Sequence, residues 1–95
     1  MDVVAVWPDG STRVHYSPSL VIGEHLHVGA AYPVAEFVER SRIALGIASE
    51  RVRAAYGFPC SRAAASLAGI ERAAAQVTEP GATVTVIELR RPASA

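Results

Sequence analysis

The residues with most chemistry to offer here are one cysteine and three histidines: Cys60, in Tyr56-Gly57-Phe58-Pro59-Cys60-Ser61, and His15, His25 and His27. Cys60 stands behind a proline where a helix is expected to start, and the amide dipoles of a helix N-terminus stabilise a thiolate. Nucleophilic catalysis also needs a base in reach and an oxyanion site, whereas the histidines lie far off in sequence. The bland reading of Cys60 is a small apolar residue packed in the Phe58-Pro59 elbow. His25-Leu26-His27 would put two imidazoles on one face of a strand and, with Cys60, could bind zinc. His-x-His is short and common, however, and no second paired ligand motif accompanies it. Cys60 is thus a weak candidate nucleophile, His25 and His27 are weak candidate metal ligands, and no cofactor is implied. The chain has no Gly-x-Gly-x-x-Gly, no phosphate-cradling glycine loop, no His-Glu-x-x-His and no Gly-x-Ser-x-Gly. Asp9 is explained by a turn, and most glutamates by helix surfaces.

Those residues sit in a chain of 95, enough for one domain with one core. Composition is that of a globular protein, 51% hydrophobic and 19% charged, without repeats or low-complexity tracts. The formal net charge is zero, and the nine arginines are spread from Arg13 to Arg91 with no lysine among them. No basic stripe exists to neutralise successive phosphates, which argues against nucleic acid. The N-terminal apolar run stops after five residues and carries no basic flank, so neither a signal peptide nor a membrane span is expected. A lone cysteine agrees with a reducing compartment, and the cytoplasm is the expected location.

Val3 to Trp7 reads as a strand, and Ser11 to Tyr16 alternates Thr12, Val14 and Tyr16 against Arg13 and His15. Pro8-Asp9-Gly10 between them has the chemistry of a hairpin turn. From residue 17 to 31 the pattern is irregular, with Leu20-Val21-Ile22 a short strand or a buried turn. Pro33 fits the first turn of a helix in which Val34, Phe37, Val38, Ser41, Leu45, Ala48, Val52, Ala55 and Tyr56 fall within roughly 60° of one direction. Gly57 is its expected left-handed stop. A second helix is expected over about 61–77, with Ala64, Leu67, Ile70, Ala74 and Val77 facing inward. Thr83 to Leu89 is a strand by composition, and 90–95 is expected to fray. The fold expected is α+β: a small antiparallel sheet, made of the hairpin plus the C-terminal strand, with two helices on one face, in the order β-β-α-α-β.

Ile43 and Ile47 lie opposite the inward stripe, among Glu36, Glu39, Arg40 and Glu50, and are candidate interface residues. Val3, Ala5 and Trp7 share one side of the first strand while Val4 and Val6 share the other, so both faces of the sheet carry apolar groups. Self-association through the sheet follows as an expectation, and Trp7 is a further candidate interface residue should it be exposed.

Several stretches resemble a small bacterial family of nitrogen-starvation response proteins. They are Val6-Trp7-Pro8-Asp9-Gly10-Ser11, Tyr16-Ser17-Pro18-Ser19-Leu20-Val21-Ile22, Glu36 to Arg42, Ala48 to Arg53, and Tyr56 to Ser61, so the similarity runs from about Val6 to Glu71. Members of that family are encoded beside a nitrilase, a radical-SAM protein, an acetyltransferase and a flavoprotein, in clusters associated with nitriles or cyanide as nitrogen source. The resemblance implies this context but no catalytic residue, cofactor or reaction, and His25 and His27 lie outside the similar stretches. The preferred reading is a non-catalytic accessory protein that binds a pathway enzyme or itself. A small thiol-dependent enzyme or carrier using Cys60 is one alternative, and a sensor closing its Tyr16 to Tyr32 segment over a small ligand is another.

Overall fold

The chain reverses at Pro8-Asp9-Gly10 in the computed structural model, which describes residues 1–91. Gly10, at φ +84°, donates its N–H to the Trp7 carbonyl at 2.8 Å, and the Trp7 N–H reaches the Ser11 carbonyl at 2.9 Å. The Asp9 carboxylate accepts from the Ser11 hydroxyl and N–H at 2.6 and 2.9 Å, and these bonds hold it below the usual carboxylate range. Three turn residues ending in a left-handed glycine match the twist of antiparallel strands. The expected hairpin is therefore present as β1 (Asp2–Val6) and β2 (Thr12–Tyr16).

Two more strands, β3 (Ala31–Pro33) and β4 (Thr83–Arg90), complete an antiparallel sheet in the order β2-β1-β4-β3. The α+β class and the C-terminal strand beside the hairpin agree with the sequence, while β3 is an addition. It forms because Tyr32 pairs with Val84, a partner remote in sequence, and carries its ring into the core. Between β2 and β3 the chain makes a 3-10 turn, Leu20–Glu24, capped by the Ser19 hydroxyl accepting from the Val21 N–H at 3.2 Å. Val21 and Ile22 are buried there, so Leu20-Val21-Ile22 is a turn and not a strand. Arg90 does not fray, for it pairs with Asp2 at the end of β4; residues 92–95 of the expected loose tail lie outside the described part.

One face of the sheet carries the core. Val3, Ala5, Trp7, Tyr32, Val84 and Val86 all belong to the buried cluster. On β2 the sidedness inverts what the residue types suggest. His15 pairs with Val3 and is buried, whereas Val14 pairs with Val4 and is left 54% exposed on the far face. The physical reason lies in Trp7, whose buried indole N–H needs an acceptor. His15 Nε2 supplies it at 3.1 Å.

A β-bulge in β4 corrects a second misfit. Val84 and Val86 point inward, and strict alternation would send Glu88 in after them. Between Val4 and Ala5 the pairing instead slips by one residue, so Val4 faces Glu88, Val3 faces Leu89, and Ile87 is the extra residue. Leu89 then packs on the core while Glu88 stays outside.

Two helices cover the core face. The first, α1 (Val34–Tyr56), starts after Pro33 and ends at Gly57, whose φ of +85° lets its N–H bond the Arg53 carbonyl at 2.7 Å. Phe37, Ser41, Ala44, Leu45 and Ala48 are buried, but Ala55 and Tyr56 at the end of the expected stripe are exposed. A 23-residue helix is about 34 Å long, while a five-residue strand spans about 17 Å. The last turns of α1 thus run past the sheet. The second helix, α2 (Ser61–Ala75), buries Ala63, Ile70 and Ala73, with Leu67, Ala74 and Val77 half-buried and Ala64 exposed, so its inward stripe is rotated from the expected one.

Ser41 is wholly buried, and among the described residues its hydroxyl has no hydrogen-bond partner. Burying such a group unpaired costs about 1–3 kcal/mol. Ser41→Ala is therefore expected to raise stability by about 1 kcal/mol, read as a higher urea midpoint at unchanged slope.

Candidate functional site

Cys60 is the residue immediately before α2. Its carbonyl accepts from the Ala64 N–H at 3.3 Å, and its side chain is a free thiol packed part-buried against the core cluster. His15 lies in the core against Trp7. His25 ends the 3-10 turn, its N–H on the Ile22 carbonyl at 3.1 Å and its own carbonyl accepting from Arg40 Nη1 at 3.0 Å. His27 is exposed, and its N–H donates to the Tyr32 hydroxyl at 2.9 Å. Among the described residues no three of His, Cys, Asp or Glu gather where they could hold a metal ion. The two histidine backbones instead serve to fasten the irregular segment to α1 and β3.

The aromatic candidates are core residues. Trp7 is 3% exposed and meets Phe37 edge-on at 5.5 Å between ring centroids, and His15 edge-on at 5.8 Å. Its indole is therefore not an interface group, because the sheet and α1 enclose it. Tyr32 is buried too, with the Arg40 guanidinium 4.8 Å from its ring centroid. Burial holds His15 neutral, its pKa pushed down to about 4 by desolvation first and the nearby Arg13 charge second.

The isoleucine pair has the opposite placement. Ile43 is 45% and Ile47 37% exposed on the outer side of α1, with Gly46 between them. Gly46 has no side chain, so the isoleucines rim a notch. With Arg42, Glu50, Arg51 and Ala54 they line a shallow trough of about 690 Å³ whose surface is mostly apolar. Its edges are charged: Arg42 reaches Glu39 at 2.6 Å and Glu71 of α2 at 3.0 Å, and Arg53 lies 3.5 Å from Glu50. An apolar centre with a polar rim is the anatomy of a protein contact surface.

Two exposed apolar features extend this picture. Tyr56 and Phe58 project from the elbow between the helices, 70% and 64% exposed. The wheel puts Tyr56 in the buried stripe, and only the overhang of α1 past the sheet reveals it as surface. Val14 and Ile87 stand exposed on the far face of the sheet, above the buried Val4. Apolar alternation in β1 foreshadows that face, but the bulge that turns out Ile87 has no local sequence signal.

Among the described residues no helix is long and apolar enough to cross a membrane. No curated protein and no solved structure matches the chain. The family model described as nitrogen starvation-induced protein NitG matches residues 2–89, from the first strand through Leu89 of the last. Since that match takes in both helices and all of the sheet but Arg90, the chain belongs to the family of the nitrogen starvation-induced protein NitG.

Proposed function

We propose that this chain is a non-catalytic interaction subunit of the nitrogen-starvation response, acting in the cytoplasm by binding an enzyme of a pathway that assimilates nitrogen from nitriles. The observation that carries the reading is the trough on α1. Two exposed isoleucines astride a glycine form an apolar notch on a helix whose outer face also carries the ion pairs Glu36–Arg40, Glu39–Arg42 and Glu50–Arg53. Single exposed isoleucines are ordinary, but a paired notch of this shape accepts a partner's apolar side chain.

The test is capture of the tagged chain from nitrogen-limited cells, beside an Ile43→Asp, Ile47→Asp variant shown to be folded by circular dichroism. One pathway enzyme is expected to co-purify in fixed ratio and bind the variant at least tenfold more weakly when both are purified. Recovery of the chain alone, or equal binding by the variant, removes this reading. The exposed Val14 and Ile87 favour a second one, pairing of two copies across the far face of the sheet. Sedimentation at monomer mass over a wide concentration range sinks it.

A further inference from the structure

The two edges of the sheet are treated differently. The β3 edge is three residues long and ends in Pro33, which has no N–H to offer. The β2 edge is five residues long, unbulged and free of proline. Its hydrogen-bonding phase follows from the ends: Trp7 pairs with Ser11, and Ser17 exchanges bonds with Met1, its N–H to the Met1 carbonyl and the Met1 amine to the Ser17 carbonyl, both 2.8 Å. Narrow pairs recur every second residue in an antiparallel ladder. Arg13 and His15 therefore bond to β1, and the N–H and C=O groups of Thr12, Val14 and Tyr16 point away from the sheet.

Beside this edge runs α2, antiparallel to β2, and the two enclose an open groove of about 590 Å³. Its helical wall is Ala65, Ser66 and Gly69, small enough to admit another backbone. Arg62 closes one end, stacked 3.9 Å from the Tyr16 ring centroid, and Arg13 lines the other, near Trp7. Arg72 lies against Gly69. Among the described residues neither Arg13 nor Arg62, which line the groove, has a carboxylate within ion-pairing distance, and nor have Arg72 and Arg51 outside it, whereas Arg40, Arg42, Arg53 and Arg90 do.

From this juxtaposition we infer that the β2 edge and α2 form a binding groove for an extended acidic segment of another protein, which adds as a fifth strand next to β2. The outward backbone groups supply main-chain bonds, the small residues of α2 admit alternate side chains, and the arginines select carboxylates. Charge chooses the occupant. A second copy paired edge to edge would bring the arginines of both copies together, at a cost in repulsion, whereas an acidic strand neutralises them. The inference rests on the interaction-subunit reading but uses a different face, so the two can fail separately.

The test selects dodecamer peptides from a random displayed library on the full chain, then titrates the enriched peptide into wild type, Val14→Pro and Arg62→Glu. Proline at Val14 removes an outward N–H and no bond to β1, so the hairpin is expected to survive. The expected result is enrichment of Asp or Glu among alternating β-branched residues, at least tenfold weaker binding by each variant, and slowed amide exchange at Val14 and Tyr16 of the wild type on binding. The exchange reading stands even if Val14→Pro proves unfolded. Enrichment of sequences without acidic residues, or binding that leaves those amides unprotected and is indifferent to Arg62→Glu, overturns the inference. A cellular partner lost with Ile43 and Ile47 but held by both edge variants overturns it as well, while leaving the interaction subunit intact.

Discussion

Phe37→Ala is expected to cost about 3–5 kcal/mol, because a large, fully buried ring is lost and the rigid surroundings cannot close over the gap. Phe37 is 0% exposed and sits where α1 meets the sheet, edge-on to Trp7 and 6.1 Å from the His15 ring centroid. Its removal therefore also takes away the aromatic contact that orients Trp7. A domain of this size is stable by about 5–14 kcal/mol in total, so the loss is a large share of what holds it folded. Trp7 is the only tryptophan and adjoins the site, which makes its fluorescence during urea unfolding the natural readout. Phe37→Leu, which keeps most of the volume, is expected to cost less than half as much. Equal costs for the two substitutions would mean that the ring's shape and edge contacts decide the effect, and not the cavity.

Acid is expected to weaken the fold in a window set by His15. The folded protein holds this imidazole neutral down to about 4, whereas in the unfolded chain it takes a proton near the ordinary 6.5. The unfolded state thus binds the extra proton first. The stability that favours neutral His15 is complete above pH 6.5, declines as the pH falls through the window, and is gone below about 4. At 1.36 kcal/mol per unit, the loss is about 3 kcal/mol. His15→Gln is the informative variant, since an amide oxygen can still accept the Trp7 indole N–H without titrating. Unfolding free energies between pH 7 and pH 4 should slope in wild type and be nearly flat in the variant over that range. Parallel slopes would assign the acid sensitivity to other groups.

What could be read from the sequence depended on how local the determining chemistry is. Pro8-Asp9-Gly10 and Gly57 declare their conformations through their own side chains, or the lack of one, and both are where residue types put them. Ile43 and Ile47 were legible as misfits on a helical wheel, and the structure leaves both on the surface. β3 was hidden because three residues carry no period and its identity comes from Val84, some fifty positions on. The sidedness of β2 was hidden because valine looks like the buried partner and histidine does not, until Trp7 is seen to need an acceptor. The β2–α2 groove was hidden most deeply: Arg13 and Arg62 come to line one groove only because α2 packs beside β2, and no spacing rule links them.

The central pair of the sheet joins its first strand to its last, Asp2 opposite Arg90. On the ribosome β1 is followed at once by its hairpin partner, yet the strand that completes its other edge is the last of the four to be made. A contact so distant in sequence adds loop-closure entropy and slows folding. The hairpin must therefore wait, with one edge of β1 open, until β4 has been made. A chain cut short before β4 lacks Val84 and Val86 and leaves β3 with nothing to pair to, so truncated products should be recognised as unfolded and degraded.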